Sequence, residues 1–522
     1  MFFPAVVDHC SHCRLINLKA NVVMTPIILT QSSLLAALAP IDPALRQQVI
    51  AYLIGRTSYT SPDNGLPIPA QLGVAISVPD PSANVLIETN AVNTVNVDPS
   101  LKVIVANVAS NVVLSVNGLS PVLVATGNGD NQVFVNDSAA VTVLTGSGND
   151  TIYAGAGADT LSSGAGNDVL VDQVSGASLL DGGSGYDLLF GSGADKLAGG
   201  DGDDTLYGGT ASDLLGGNGN DILISGSDAV HANVLDGGAD SDQLYAGAGQ
   251  DSLYGGAGSD ILVFGSAAQY ADGDDDNDLV VGGAGNDALH GGNGNDAIYS
   301  NSVASQGAKL YGDSGNDSLY AGAGADSLCG GADADLLIGG AATAVLDGGG
   351  GDDVVYSNSN SSQGTVVYGG GGNDQLYAGY GNDTLYGGSG HDLLKAGYGN
   401  GVTVMIGGDD GSSFTDDTGG NTSSMVGGAG QDFFYLKNLF TPDTIDGGGG
   451  DLDSVTFSLC DLSSVMSITP GATAGSYDVN FGYHVYPRYP EGPPSYDVVT
   501  QVAHVSNIEY LIFRAGNFIH LT

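Results

Sequence analysis

The residues best placed to do chemistry are aspartates that return at a fixed interval. In the stretch GGAGNDALHGGNGNDAIY, residues 282–299, two copies of a nine-residue sentence stand in tandem, GGxGxDxUx, with U a large aliphatic. Its glycines, here Gly282, Gly283, Gly285, Gly291, Gly292 and Gly294, tolerate positive φ and close backbone approach, so the turn can aim carbonyl oxygens inward beside the aspartate. Oxygen ligands at flexible spacing, some of them carboxylates, suit a hard cation such as calcium and suit zinc or copper poorly. The last three residues of the sentence make a short strand, so the turn and its scaffold are written together.

The sentence recurs about twenty times between residues 145 and 456, starting with TGSGNDTIY and AGAGADTLS. Here the chain resembles the repeats-in-toxin (RTX, haemolysin-type) calcium-binding family. That resemblance implies an all-β, right-handed parallel β-roll or β-helix solenoid in which two nonapeptides make one turn and residues 18 apart lie above one another. It also implies calcium between stacked turns, with the sixth-position aspartate giving a carboxylate and the glycine-rich positions giving carbonyls.

Sorted by that repeat, the aspartates fall on two edges. The first runs Asp150, Asp168, Asp187, Asp204, Asp221, Asp242, Asp260, Asp278, Asp296, Asp317, Asp335, Asp353, Asp374 and Asp392, in steps of 17 to 21 residues with no missing member. Asp410, Asp432 and Asp453 extend it less regularly. The second carries Asp159, Asp195, Asp213, Asp251, Asp287, Asp326 and Asp383, interrupted by segments without the aspartate such as SGSDAVHAN, GSAAQYA, SNSVASQGAK and SNSNSSQGT. A site that needs turns above and below is complete on the first edge and mostly incomplete on the second. Of the tandem pair, Asp296 is expected to hold a complete calcium site and Asp287 is not.

Strands after the first edge aim Ile152, Leu170, Leu189, Leu206 and their successors to Leu394 inward, because side chains alternate faces. Their outward neighbours include Tyr153, Tyr207, Tyr245, Tyr299, Tyr320, Tyr356 and Tyr377, an apolar and tyrosine stripe that either stacks on itself for rigidity or serves as an assembly interface. The other sheet is mostly more polar, with Tyr254 and Tyr386 as exceptions.

The remainder of the chain supports this solenoid. Residues 1–73 form an N-terminal segment: SSLLAALA and DPALRQQVIAYLIG predict two short helices within 32–55, and prolines and polar residues mark 57–73 as a linker. Ser77, Leu86, Val95, Ile104, Val113 and Val122 lie nine apart, so residues 74–144 read as calcium-independent rungs, or else as a separate small β-domain. Residues 145–456 are the calcium-binding roll, and 457–522 resemble the C-terminal cap and uncleaved secretion segment common in the family. DHCSHC near the start spells half a zinc site or belongs to residues 1–23 preceding the true start, and a signal peptide ending near LAALA is the other reading of that region.

Composition narrows the function. The chain has 522 residues with 85 glycines, no tryptophan and a formal charge of -47, from 58 acidic against 11 basic residues. Such a surface repels nucleic acid and anionic membranes, and no run of about twenty apolar residues offers a membrane span. HExxH and GxSxG are absent, and His231, His290 and His391 sit in repeats as solvent-facing residues. The expectation is a secreted, extracellular calcium-binding protein, folded by external calcium after one-step export, with a structural, surface-layer or adhesive role through self-association or cell-surface polysaccharide. An RTX-type exoenzyme or toxin with a site on the solenoid flank is the alternative.

Overall fold

The computed structural model describes residues 103–106, 111–118, 122–458 apart from 175, 361–362, 400, 418–421, 438–442 and 451, residues 498–521 apart from 514, 515 and 517, and the strands 27–29, 68–73, 85–88, 92–97, 465–470 and 476–484. The helices expected within 32–55 and the DHCSHC segment lie outside the described residues. Every strand and helix assigned among the described residues is a strand, and no helix is long and apolar enough to cross a membrane. The chain divides into two compact units, Met1–Lys196 and Leu197–Thr522.

In the first unit two parallel sheets alternate along the chain. A front sheet holds Val92–Val97, Val113–Gly118, Gln132–Asp137, Thr151–Ala154, Val169–Asp172 and Leu188–Phe190. A back sheet holds Ile68–Gly73, Val85–Glu88, Val103–Ala106, Val122–Ala125, Val141–Leu144, Thr160–Ala165 and Leu179–Ser184. Register partners are one turn apart: Leu86 with Ile104, Val95 with Val116, Ile152 with Leu170 and Leu170 with Leu189. Parallel coiling is thus in place before the first aspartate sentence, where Val103, Ile104, Val105 and Ala106 are all buried. It starts with Ile68–Gly73, inside the stretch expected as linker, which also pairs antiparallel with Ile27–Leu29.

The second unit repeats the plan. Its front strands are three residues long over the repeats, such as Gln243–Tyr245, Ile261–Val263 and Leu279–Val281, and only the middle residue of each is buried. Its back strands are six long, such as Ser252–Ala257, where Leu253 and Gly255 point inward. The core is therefore a leucine column from each sheet, with the second inward place of the back strand kept as glycine. A Cβ on Gly255 would collide with Asp260 Oδ2 and the carbonyl of Gly273, so that glycine makes room for the turn's carboxylate. Burying each leucine contributes about 1.5–3 kcal/mol, and two per turn is a thin core for so much ordered, glycine-rich backbone. The edges must contribute.

Past residue 402 the inward residues grow larger: Met405, Phe414, Met425, Phe434 and Phe457 are buried, with Phe414 and Phe434 stacked at 4.6 Å. Val498–Ser506 then adds in parallel to Thr444–Asp446, and Tyr510–Phe513 to Ser454–Phe457. Ser476–His484 and Val465–Pro470 extend one sheet antiparallel, and Phe518–His520 the other. Antiparallel pairing ends the coil and covers its last parallel edges.

Candidate cation sites along two edges

Chain passing from back strand to front strand turns at the first edge, and there the aspartates form a hydrogen-bonded column. In the second unit the N–H of Asp204 donates to Asp221 Oδ1 at 2.7 Å, that of Asp221 to Asp242 at 2.7 Å, that of Asp260 to Asp278 at 2.8 Å and that of Asp278 to Asp296 at 2.8 Å. The same step continues through Asp317, Asp335, Asp353, Asp374 and Asp392. In the first unit Asp150 donates to Asp168 and Asp168 to Asp187. One oxygen of each carboxylate is committed to the backbone of the preceding turn.

The other oxygen is not. Oδ2 of Asp150, Asp168, Asp221, Asp242, Asp260, Asp278, Asp296, Asp317, Asp335, Asp353, Asp374 and Asp392 is buried and receives no hydrogen bond. A buried carboxylate oxygen without a protein donor carries a desolvation penalty that a proton, a water or a cation would offset. Burial, reinforced by the carboxylates above and below, pushes Asp242, Asp278 and Asp335 up to about 8, and Asp317 and Asp374 to about 7. Burial pushes Asp221 to about 7, with Asp203 and Asp240 adding to it.

The column's ends differ from the sequence expectation. Asn131 starts it: its N–H reaches Asp150 Oδ1, while its amide Nδ2 donates to Asp150 Oδ1 at 2.8 Å and to the carbonyls of Gly127 and Gly129 at 2.9 and 2.6 Å. One donor seated there meets carboxylate and carbonyl oxygens from two successive turns. This is the oxygen set a hard cation takes, and the amide is its neutral stand-in. After Asp392 the next place belongs to Ser412, whose N–H donates to Asp432, and not to Asp410, whose Oδ2 instead accepts the N–H of Gly390 on an exposed turn. Asp453 follows Asp432, and Glu509 accepts the N–H of Asp453 at 2.7 Å. The signal that finds Ser412 is the inward residue two positions on, Phe414, because each first-edge aspartate stands two before its buried side chain.

At the second edge, from front strand to back strand, the same rule corrects Asp213. The buried residue is Leu214, so Ser212 holds the edge place, donating its N–H to Asn233 Oδ1, and Asp213 begins the strand Asp213–Asn218 on its exposed face. Asp251, Asp287, Asp326 and Asp383 are in place, each taking a backbone N–H on Oδ1. Here Oδ2 is satisfied by protein. Asp326 Oδ2 accepts the hydroxyls of Ser300 and Ser302 at 2.7 and 2.8 Å and the N–H of Gly322 at 2.7 Å. Asp383 Oδ2 accepts Ser357, Ser359 and Gly379 in the same way. Asp251 takes Ser227 and Gly247, Asp287 takes Gly283, and Asp195 takes Ser192 and Gly193. In the first unit Asp159 Oδ1 accepts the N–H of Val141. The serines arrive on the insertions that interrupt the repeat, a role that sequence spacing does not reveal.

The tandem pair shows both situations. Gly291, Gly292 and Gly294 belong to the turn of Asp296, with φ of 106° at Gly292 and 152° at Gly294, and a Cβ on Gly291 would strike Asp296 Oδ2. Gly282, Gly283 and Gly285 belong to the turn of Asp287, where the carbonyl of Gly282 already accepts Asn301 Nδ2 at 3.2 Å. Among the described residues no three His, Cys, Asp or Glu side chains converge, so a cation on the first edge would need its remaining oxygens from backbone. His231 and His290 pair with Asp228 and Asp313, and His391 with the carbonyl of Gly411.

The tyrosine stripe is stacked. Tyr299 and Tyr320 lie 4.6 Å apart at 5°, and Tyr356 and Tyr377 4.5 Å apart at 10°. The back sheet carries its own run, with His290 on Tyr311 at 4.5 Å and Tyr368 on Tyr386 at 5.1 Å. A family model described as RTX calcium-binding nonapeptide repeat (4 copies) matches residues 142–170, 191–223, 231–265, 272–303, 309–337, 330–361 and 364–402. No curated protein matches the chain.

Proposed function

Because this chain belongs, through residues 142–402, to the RTX calcium-binding nonapeptide repeat family, we propose that it is a calcium-binding β-roll protein whose first edge holds the ions and whose folding is coupled to them. The observation that carries this reading is the column of buried first-edge Oδ2 atoms that receive no hydrogen bond. Asp150, Asp168 and Asp221 through Asp392 would hold calcium with backbone carbonyls of the adjoining turns. When bound, the ion supplies positive charge to carboxylates that otherwise repel along the column. The residues' own part is to present deprotonated oxygens at fixed register, so binding releases protons and is inseparable from closing the turns. Second-edge Asp251, Asp287, Asp326 and Asp383 bind calcium weakly or not at all.

Folding coupled to calcium suits a secreted protein: an ion bound only by the folded state leaves the chain loose where calcium is scarce and orders it where calcium is abundant. The location is extracellular on this reading. The two aromatic runs support a structural, surface-layer or adhesive role, since rings stacked on one another stiffen the sheets and leave hydroxyls and ring edges outward for self-association or cell-surface polysaccharide. Calcium titration of the chelated full chain, followed by circular dichroism and equilibrium dialysis, tests the core of this. Gain of β structure with uptake of several ions is expected. A chelated chain that keeps full β content at neutral pH, or binds no calcium, overturns it.

A further inference from the structure

Second-edge aspartates are satisfied by different groups at different turns, and at several turns one register place supplies the group. It is the residue that closes a front strand, faces inward, and meets the second-edge aspartate of the following turn. Before Asp326 and Asp383 this place holds Ser300 and Ser357, buried residues whose hydroxyls donate to Oδ2 at 2.7 and 2.8 Å. Before Asp195, in the first unit, the same place holds Asp172, at the end of the strand Val169–Asp172.

Asp172 is 2 % exposed and Asp195 is 1 % exposed. Asp195 accepts three backbone N–H donors: Ser178 on Oδ1 at 2.8 Å, with Ser192 at 2.8 Å and Gly193 at 3.0 Å on Oδ2. Asp172 takes the N–H of Val174 on Oδ1 at 3.2 Å, and its Oδ2 is buried and receives no hydrogen bond. Burial raises the Asp172 carboxyl, and the charge of Asp195 raises it further. The Ser178 side chain, 2 % exposed, lies within reach of Asp172 and accepts the N–H of Asp159 at 3.0 Å. An aspartate at the serine place therefore replaces a hydroxyl donor by a second carboxyl in a closed space, where two carboxylates without a cation or a shared proton are unfavourable. The arrangement recurs in the second unit, where Asp416 stands in the same place before Asp443, and Asp443 Oδ2 is buried and receives no hydrogen bond.

We propose that Asp172 and Asp195, with the Ser178 hydroxyl, form a divalent-cation site that joins a nonapeptide aspartate to a carboxylate from outside the pattern, on the edge where Asp326 and Asp383 are closed by serine. A proton shared between the two carboxylates would satisfy one oxygen of each. An ion with six to eight oxygen ligands satisfies the orphaned Oδ2 and the hydroxyl together. This rests on calcium being the ion of the first edge.

Crystals of the full chain soaked in terbium test the location by anomalous scattering. A peak bridging Asp172 and Asp195 is expected in addition to the first-edge peaks. First-edge peaks with none at Asp172 overturn this site alone, whereas no peaks on either edge overturn the calcium-binding reading as well. Equilibrium dialysis with calcium tests the register rule from both sides. Asp172→Ser, which installs the residue the fold already uses at 300 and 357, is expected to bind one calcium fewer and to melt higher in chelator. Ser300→Asp is expected to bind one more. An Asp172→Ser chain with an unchanged calcium count overturns the proposal, the pair then being held by a proton.

Discussion

The two edges of the second unit are built from almost the same nine residues and solve opposite problems. At Asp296 the turn is short, Gly292 takes φ of 106°, and the carboxylate is left with one buried oxygen that no donor reaches. At Asp326, on the other edge, the front strand of the turn before, Ala297–Tyr299, runs on through SNSVASQGA, and that extra chain bends two serine hydroxyls onto the equivalent oxygen. On the proposed reading one edge depends on an ion from outside, whereas the other carries its donors in covalent form. The insertions that make the repeat look degraded are what complete the second edge.

Substituting the two adjacent sentences separately is the strongest way to break this comparison. Asp296→Ala removes the Oδ1 bond to the N–H of Asp278 and, on the proposed reading, at least one calcium. A lost ion at 100 times its Kd is worth about 2.7 kcal/mol, added to about 1–3 kcal/mol for the orphaned N–H. Asp287→Ala leaves the N–H groups of Gln269 and Gly283 unpaired and costs only the latter kind of penalty. Calcium counts from equilibrium dialysis should fall for the first variant and stay level for the second. Equal losses of calcium would remove the distinction between the edges.

How far this was legible in sequence follows from which residues set it. The first-edge column from Asp150 to Asp392 and its buried partners two positions on are periodic in one dimension, so spacing suffices. Where the period slips by one or two residues, as at Ser212 and Ser412, a visible aspartate nearby draws the assignment to Asp213 or Asp410, and only the buried Leu214 and Phe414 restore it. Asn131 and Gln269 hide for a chemical reason, since an amide supplies N–H to turn carbonyls without resembling the motif. Glu509 closes the column from 56 residues beyond Asp453, a contact created by the antiparallel cap. The serine hydroxyls on Asp326 and Asp383 depend on how inserted loops fold back, which no period encodes.

Acidity should separate the edges more gently. In the folded, ion-free chain Asp242, Asp278 and Asp335 sit at about 8 and Asp221, Asp317 and Asp374 at about 7, against about 3.9 when unfolded. Raised folded values mean that the folded state binds more protons, so the stability these groups contribute is fully present below about pH 4 and is lost as pH rises through 7 to 8. In chelator the melting temperature should therefore rise on going from pH 8 to pH 5.5, protons standing in for calcium. Asp278→Asn should flatten that rise. A melting temperature in chelator that falls over the same interval would contradict the buried-column account.

The smallest expected effect tests the serines. Ser302→Ala removes one of three donors to Asp326 Oδ2 and leaves Ser300 and Gly322 in place. It also strips the N–H of Gly324 of its acceptor, since Ser302 Oγ receives that bond at 3.0 Å. A hydrogen bond to a charged group contributes about 1.5–3 kcal/mol, so the variant should melt several degrees lower with calcium uptake unchanged. The calcium count is the informative readout, because stability alone falls under any account. A count that drops would make the hydroxyl a ligand and the second edge an ion edge after all. A count that climbs would show that the hydroxyls exclude an ion from a site otherwise able to take one, and the difference between the edges would then reside in two side chains per turn.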